Sequence, residues 1–198
     1  DPHEKAVEAA ENSDAAVVVV GLNGELVQES FDRHHIEMPR AQQELIEAVH
    51  KVNPNTVVVV VSGSPLPAKS FDDVPGILQA WYAGQAQGTA IADVLFGDYN
   101  PGGKLSQTYY RSTKQLPPFT EYNIIQANHT YQYLEEEPMF PFGHGLSYTD
   151  FKYSAPEVTA SAGLGEKVRV SLDVSNTGNR KGDEVVQLYV HDKEAAVK

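Results

Sequence analysis

The stretch that decides the fold is "AAVVVVGLNGELVQESFDRHHIEMPRAQQELIEAVHKVNPNTVVVVVSG", residues 15–63. It opens and closes on short, all-apolar, β-branched runs, "AAVVVV" (15–20) and "NTVVVVVSG" (55–63), which read as strands buried on both faces. Between them, "PRAQQELIEAVHKVN" (39–53) places Ala41, Leu45, Ala48, Val49 and Val52 at helical spacing, with Pro39 at the first helical position. The remaining piece, Gly21–Pro39, is polar and crowded with ionisable groups. A strand–loop–helix–strand order of this kind belongs to a parallel sheet.

Upstream, "DPHEKAVEAAENSD" reads as the end of a helix with Val7 and Ala10 on its apolar side. Downstream, "GILQAWYAG" (76–84) carries a third, shorter strand. "GTAIADVLFG" (88–97) reads as a small-residue helix with Gly97 as its C-cap. The expected fold class is α/β, a mostly parallel sheet covered by helices on both sides. From 98 to 150 the periodicity dissolves into turn chemistry ("DYNPGG") and an aromatic-rich tail ending in "PMFPFGHGLSYTDF". From about residue 152, "EKVRVSLDVSNTGNRKGDEVVQLYVHD" alternates apolar and polar residues, with "NTGN" as a turn between two strands. That is sandwich-type β structure. A complete sandwich takes about seven strands and roughly 100 residues, so only its opening strands fit before Lys198.

Composition narrows the function classes. The 198 residues carry a formal net charge of −12, and no basic cluster is present. This argues against nucleic acid and anionic membranes as partners and fits a neutral ligand such as a sugar. No stretch reaches the roughly 18 apolar residues of a membrane-spanning helix. No signal peptide opens the sequence, so it is read as starting inside a longer precursor. Cysteine is absent, which excludes disulfides, Cys–zinc sites and thiol nucleophiles and leaves the compartment open.

In open α/β sheets ligands gather outside the carboxyl ends of the strands, and the loop Gly21–Pro39 leaves such an end. Its carboxylates are Glu25, Glu29 and Asp32; its cationic candidates are Arg33, His34 and His35. A lone loop glutamate is ordinarily a solvated surface residue. Asp32–Arg33 reads as a structural brace. The adjacent His34 and His35, without a third ligand at metal spacing, make a poor metal site; no metal and no cofactor are expected. Trp81 could stack on a sugar ring, but a tryptophan ending an apolar strand reads first as core. His144 in "FGHG" reads as structural, Asn128-His129-Thr130 is a glycosylation sequon, and Glu135–Glu137 reads as a solvated run.

Several motifs together resemble the C-terminal part of the family 3 glycoside hydrolases, the β-glucosidase and β-xylosidase group. They are "GLNGELVQESFDRHHIEMPRAQQELIEAV", "VVVVVSGSPL", "PGILQAWYAGQAQGTAIADVLFGDYNPGGKLSQTYY", "LPPFTEYN", "TYQYL" with "PMFPFGHGLSYTDF", and "NTGNRKGDEVVQLYV". They occur in the family's order over nearly the whole chain.

The resemblance implies a layout. A (β/α)8-type barrel, outside this sequence, holds an Asp nucleophile. Residues 1–150 form an α/β sandwich domain with an aromatic-rich tail, and 151–198 are the first strands of a fibronectin-III-like domain. It implies an exo-acting retaining β-glycosidase releasing glucose or xylose from oligosaccharides or glycosides, secreted or periplasmic. By the same resemblance Glu29 is the general acid/base, with Glu25 as the reserve. Asp32 and Arg33 shape the loop, and Trp81 is the candidate sugar contact. Without the nucleophile the chain is expected to be inactive by itself. The competing reading is a non-catalytic carbohydrate-binding or scaffold fragment of the same family.

Overall fold

The computed structural model describes residues 2–30, 33–159, 162–163 and 165–195. Helix α1 (Glu4–Glu11) leads into β1 (Ala16–Gly21), α2 (Arg40–Val52), β2 (Thr56–Val61) and β3 (Gly76–Gln79). The three strands form one parallel sheet in the order β1-β2-β3, with Val18 opposite Val58, Gly21 opposite Val61, and Val60 opposite Gln79. Helix α3 (Gln87–Phe96) follows and ends, as expected, at Gly97 with φ 81°, the left-handed conformation glycine adopts without steric cost.

The chain divides into two compact units. The first comprises Asp1–Gly88, Leu105–Gly143 and Val190–Lys198; the second comprises Thr89–Lys104 and His144–Tyr189. The core of the first unit lies where α2 crosses one face of the sheet. Ile46 and Val49 of α2 meet Val18 and Val20 of β1 and Val58 and Val60 of β2, with Met38, Leu66 and Phe71 closing the edges. Ile46, Val58 and Leu66 are fully buried.

Three expectations need correction here. β1 is not buried on both faces. It is an edge strand, and alternation turns Val17 and Val19 to a side where they stand 52% and 62% exposed. Only β2, flanked on both edges, is buried on both faces. The core face of α2 rests on Ile46 and Val49, whereas Ala41 is exposed. Pro39 sits one residue earlier than expected, at the N-cap, with φ −51° and ψ 135°.

Helix ends are tied to strand starts by one buried side chain. Asn53 follows α2; its amide donates to Ala10 O (3.0 Å) and Ser13 O (2.8 Å) at the end of α1, and its Oδ1 accepts from Asn55 N. Thr56 Oγ1 donates to Asn53 O at 2.6 Å. Buried polar groups satisfied in this way fix a register that apolar packing alone leaves loose.

The aromatic-rich segment returns to the first unit through Tyr109, which is buried and bridges Phe140. Tyr109 N donates to Phe140 O at 2.9 Å, and the two rings meet edge to face, 5.9 Å apart.

In the second unit β4 (Phe151–Tyr153) pairs antiparallel with β7 (Val174–Asn176), and β5 (Glu157–Val158) with β6 (Val170–Ser171). The "NTGN" turn after β7 is organised by Asn176: its Oδ1 accepts from Gly178 N and Thr149 Oγ1, and its amide donates to Arg180 O. A Cβ on Gly178 would stand 2.2 Å from Thr149 Oγ1, so the turn requires glycine. The expected strand beyond it does not form. Residues 181–190 carry no ladder, and Val185, Leu188 and Val190 are exposed. Alternating pattern supplies only one face of a strand; a partner edge must supply its hydrogen bonds.

Candidate active site

The candidate site is built at the carboxyl ends of β1, β2 and β3. β1 ends at Gly21 in a place where only glycine fits, since a Cβ there would lie 1.9 Å from Val61 O. The Gln42 amide of α2 clamps this residue from both sides, donating to Gly21 O at 2.8 Å and accepting from Gly21 N at 2.9 Å. Leu22 O accepts from Tyr82 Oη at 3.0 Å. Beyond β2, Ser62 and Gln79 share a hydrogen bond, and the buried Tyr109 hydroxyl donates to Gln79 Oε1 at 2.9 Å. Burial pushes the Tyr109 hydroxyl far above its ordinary value, so it remains a proton donor.

From this base the loop rises in two steps. Asn23 organises the first. Its Oδ1 accepts from Glu25 N (3.1 Å) and Leu26 N (3.2 Å), and its carbonyl from Leu26 N and Val27 N. Such an Asx turn fixes the backbone and leaves the Glu25 side chain in solvent. Glu29 comes next, exposed, in a turn whose following residue, Ser30, has φ 65°. A non-glycine residue in the left-handed region is held there against its own preference, a feature that clusters at functional sites.

Arg33 begins the descent. Half-buried, it donates through Nη1 to Ile36 O (3.1 Å) and Glu37 O (3.5 Å), and through Nη2 to Ser64 Oγ (3.2 Å) and Pro65 O (3.5 Å). Burial draws its guanidinium below the usual value, while the Glu37 carboxylate opposes that shift. Asp32 lies outside the described residues. His34 and His35 are exposed. Among the described residues no group of three or more His, Asp or Glu side chains is placed to hold a metal ion.

Trp81 is neither core nor strand. It is half-exposed in the loop after β3, with φ 56°, and its carbonyl accepts from Gln87 Nε2 at 3.2 Å. The core expectation fails because the strand stops at Gln79, two residues early. His144 lies in the second unit, where burial and then the Lys104 ammonium hold its imidazole below the ordinary value. The acidic run is less free than its composition suggests: Glu136 Oε2 and Glu137 O both accept from Gln115 Nε2.

A carboxylate that sequence reading passed over turns out to be closely held. Glu37 Oε1 accepts from Thr113 N and Oε2 from Thr113 Oγ1, both at 2.7 Å, and Thr113 Oγ1 accepts from Ile36 N at 3.1 Å. Burial would push the Glu37 carboxyl up, but these backbone and side-chain bonds outweigh it and bring it below its ordinary value. Nothing in the spacing marks the pair, which is 76 residues apart.

Residues 1–148 match the glycosyl hydrolase family 3 C-terminal domain. The chain belongs to glycosyl hydrolase family 3. It is 42% identical to a β-xylosidase of Formosa agariphila, over 98% of this chain and 27% of the relative, and 41% identical to thermostable β-glucosidase B of Acetivibrio thermocellus, again over 98% and 27%. Among solved structures it resembles a β-glucosidase of Erythrobacter marinus (TM-score 0.79, 39% identity, 90% of this chain and 25% of that one). It also resembles the β-glucosidase of Kluyveromyces marxianus in complex with glucose (TM-score 0.78, 39% identity, 89% and 22%). The α/β architecture is therefore that of the family 3 C-terminal domain, and the chain spans about a quarter of the length of these relatives.

Proposed function

We propose that this chain supplies the general acid/base, Glu29, of an exo-acting retaining β-glycosidase that removes terminal non-reducing β-linked glucose or xylose from oligosaccharides or glycosides. The nucleophile, an Asp, would belong to a (β/α)8-type barrel outside this sequence. Residues from 151 onward would open a fibronectin-III-like domain, and the whole enzyme would be secreted or periplasmic. The observation that carries the reading is the position of Glu29: an exposed carboxylate on the long loop leaving the carboxyl end of a parallel strand, beside a backbone residue held at φ 65°. The family membership and the β-glucosidase and β-xylosidase names of its relatives support it.

The chemistry explains why such a group would be presented on a tip. A retaining glycosidase works with two carboxyl groups about 5–5.5 Å apart across the sugar. One attacks the anomeric carbon and forms a glycosyl ester. The other gives its proton to the departing glycosidic oxygen, then takes a proton from the water that hydrolyses the ester. With the two groups on separate domains, the pocket is complete only when the domains meet. The general acid has to carry its proton at the moment the glycosidic oxygen departs.

The test is Glu29→Gln in the full-length protein. Hydrolysis of β-glycosides with poor leaving groups is expected to slow by about 100-fold or more, the usual scale of general-acid catalysis. Glycosylation by substrates whose leaving group needs no proton should slow far less. Equal rates for variant and wild type on both substrates would remove Glu29 from the mechanism.

A further inference from the structure

From Arg33 to Pro39, just before helix α2, the loop runs without helix or strand. Long loops that keep one conformation do so through side-chain bonds of their own. Among the described residues of this stretch, such bonds are concentrated on Arg33 and Glu37. Arg33 ties the loop to itself and to the turn after β2, through Ser64 Oγ and Pro65 O. Glu37 ties it to the 3-10 turn Thr113–Gln115 through a closed set of three hydrogen bonds involving Ile36 N, Thr113 N and Thr113 Oγ1.

Two of those three bonds end on a carboxylate at 2.7 Å, the short, charge-assisted kind. Both residues make polar contacts, and neither belongs to the apolar core. The core anchor at this end of the loop is separate: Met38 is buried, and its N–H donates to Pro67 O at 2.8 Å. The seating of α2 thus rests on Met38 and the core, whereas the Glu37–Thr113 contact holds the loop residues just before them.

We propose that Glu37 and Thr113 form a clasp that positions the acid/base loop, making Glu37 a positioning residue for proton transfer by Glu29. The proposal rests on the assignment of Glu29 made above. The clasp and the Arg33 contacts hold the described part of the loop at successive points, Arg33, Ile36 and Glu37, on the outgoing side of Glu29. Proton transfer is sensitive to such placement: a misplacement of about 1 Å costs on the order of 100-fold.

The experiment uses the full-length enzyme with Glu37→Ala, Thr113→Val, Thr113→Ser and Glu29→Gln. The substrates are phenyl and 2,4-dinitrophenyl β-glucosides, a poor and a good leaving group. Glu37→Ala and Thr113→Val are expected to lower kcat/KM for the phenyl glucoside by about 10- to 100-fold. The 2,4-dinitrophenyl substrate should change by less than about 3-fold, and Tm should fall only by the small amount that losing the Thr113 bonds implies, with the fold intact. Thr113→Ser, which keeps the hydroxyl, should restore the wild-type ratio. Combined with Glu29→Gln, Glu37→Ala should add no further loss, because both act on one proton transfer.

Wild-type rates for Glu37→Ala beside a slow Glu29→Gln would overturn the clasp and leave Glu29 in place. Equal losses on both substrates that follow a lowered Tm would overturn it in favour of a purely structural contact. A fast Glu29→Gln would remove the assignment beneath it, and the clasp's role with it.

Discussion

Two valine-rich segments of this chain end in different states. Thr56–Val61, "TVVVVV", is the central strand of a parallel sheet, and Val58, Val59 and Val60 are essentially inaccessible. Residues 184–190, "EVVQLYV", also carry strand-forming side chains, three valines and a tyrosine, yet they show no ladder. Val185 is 49% exposed, Leu188 66% and Val190 88%. Propensity alone does not account for the difference. β2 has a hydrogen-bonded neighbour on each edge and a helix beneath one face; among the described residues no strand is paired with the later segment. Strand propensity measures fitness for a pleated, half-buried surface, and that surface has to be furnished by other residues.

The largest effect expected from this contrast is in packing. Ile46→Ala empties the centre of the α2–sheet contact and should destabilise the 198-residue chain by about 2–5 kcal/mol, the usual cost of such a cavity. Val190→Ala should stay within about 0.5 kcal/mol. Urea denaturation monitored by far-UV circular dichroism compares the two directly, and similar shifts would erase the distinction. A smaller effect should follow from buried polar groups. Asn53→Ala removes three bonds of one buried side chain, to Ala10 O, Ser13 O and Asn55 N, and should cost about 1–3 kcal/mol, whereas Thr149→Val removes a single bond, to Asn176, and should cost about 1 kcal/mol.

The smallest effect is a pH dependence. The Glu37 carboxyl titrates below its unfolded value, so the stability it contributes is fully present above that value, roughly pH 4.3, and is lost as pH falls through the folded one. Between pH 7 and 5 Glu37→Gln should leave the shape of the stability curve alone; below about pH 4 its curve should fall less steeply than wild type. Parallel curves across the acid range would show that the carboxylate is not what Thr113 holds.

The sequence made the skeleton of the sheet legible because each element there is decided locally. Five successive valines, a helical period and a glycine behind α3 each carry their own reason. It did not reveal which face of β1 stays bare, because that depends on what lies over Val17 and Val19. Trp81 reads as core from its apolar neighbours, but the strand ends at Gln79, where the turn toward α3 begins. The loop after β1 was recognisable from its charges and its place at a strand's carboxyl end. Its anchoring was not: Thr113 meets Glu37 only through the fold, and Tyr109 reaches Gln79 from an aromatic segment without period. Groups that present chemistry sat within one readable stretch, whereas groups that hold it in place came from distant parts of the chain.

One feature of the sheet bears on handling this polypeptide in isolation. β1, "AVVVVG", is an unbroken valine ribbon at the sheet's edge, uncharged and proline-free. Natural edges are commonly blunted by lysine, proline or a bulge, and none interrupts these six residues. Concentrated solutions of the 198-residue chain should therefore self-associate through intermolecular strand pairing, and a lysine in place of Val17 or Val19 should raise its solubility.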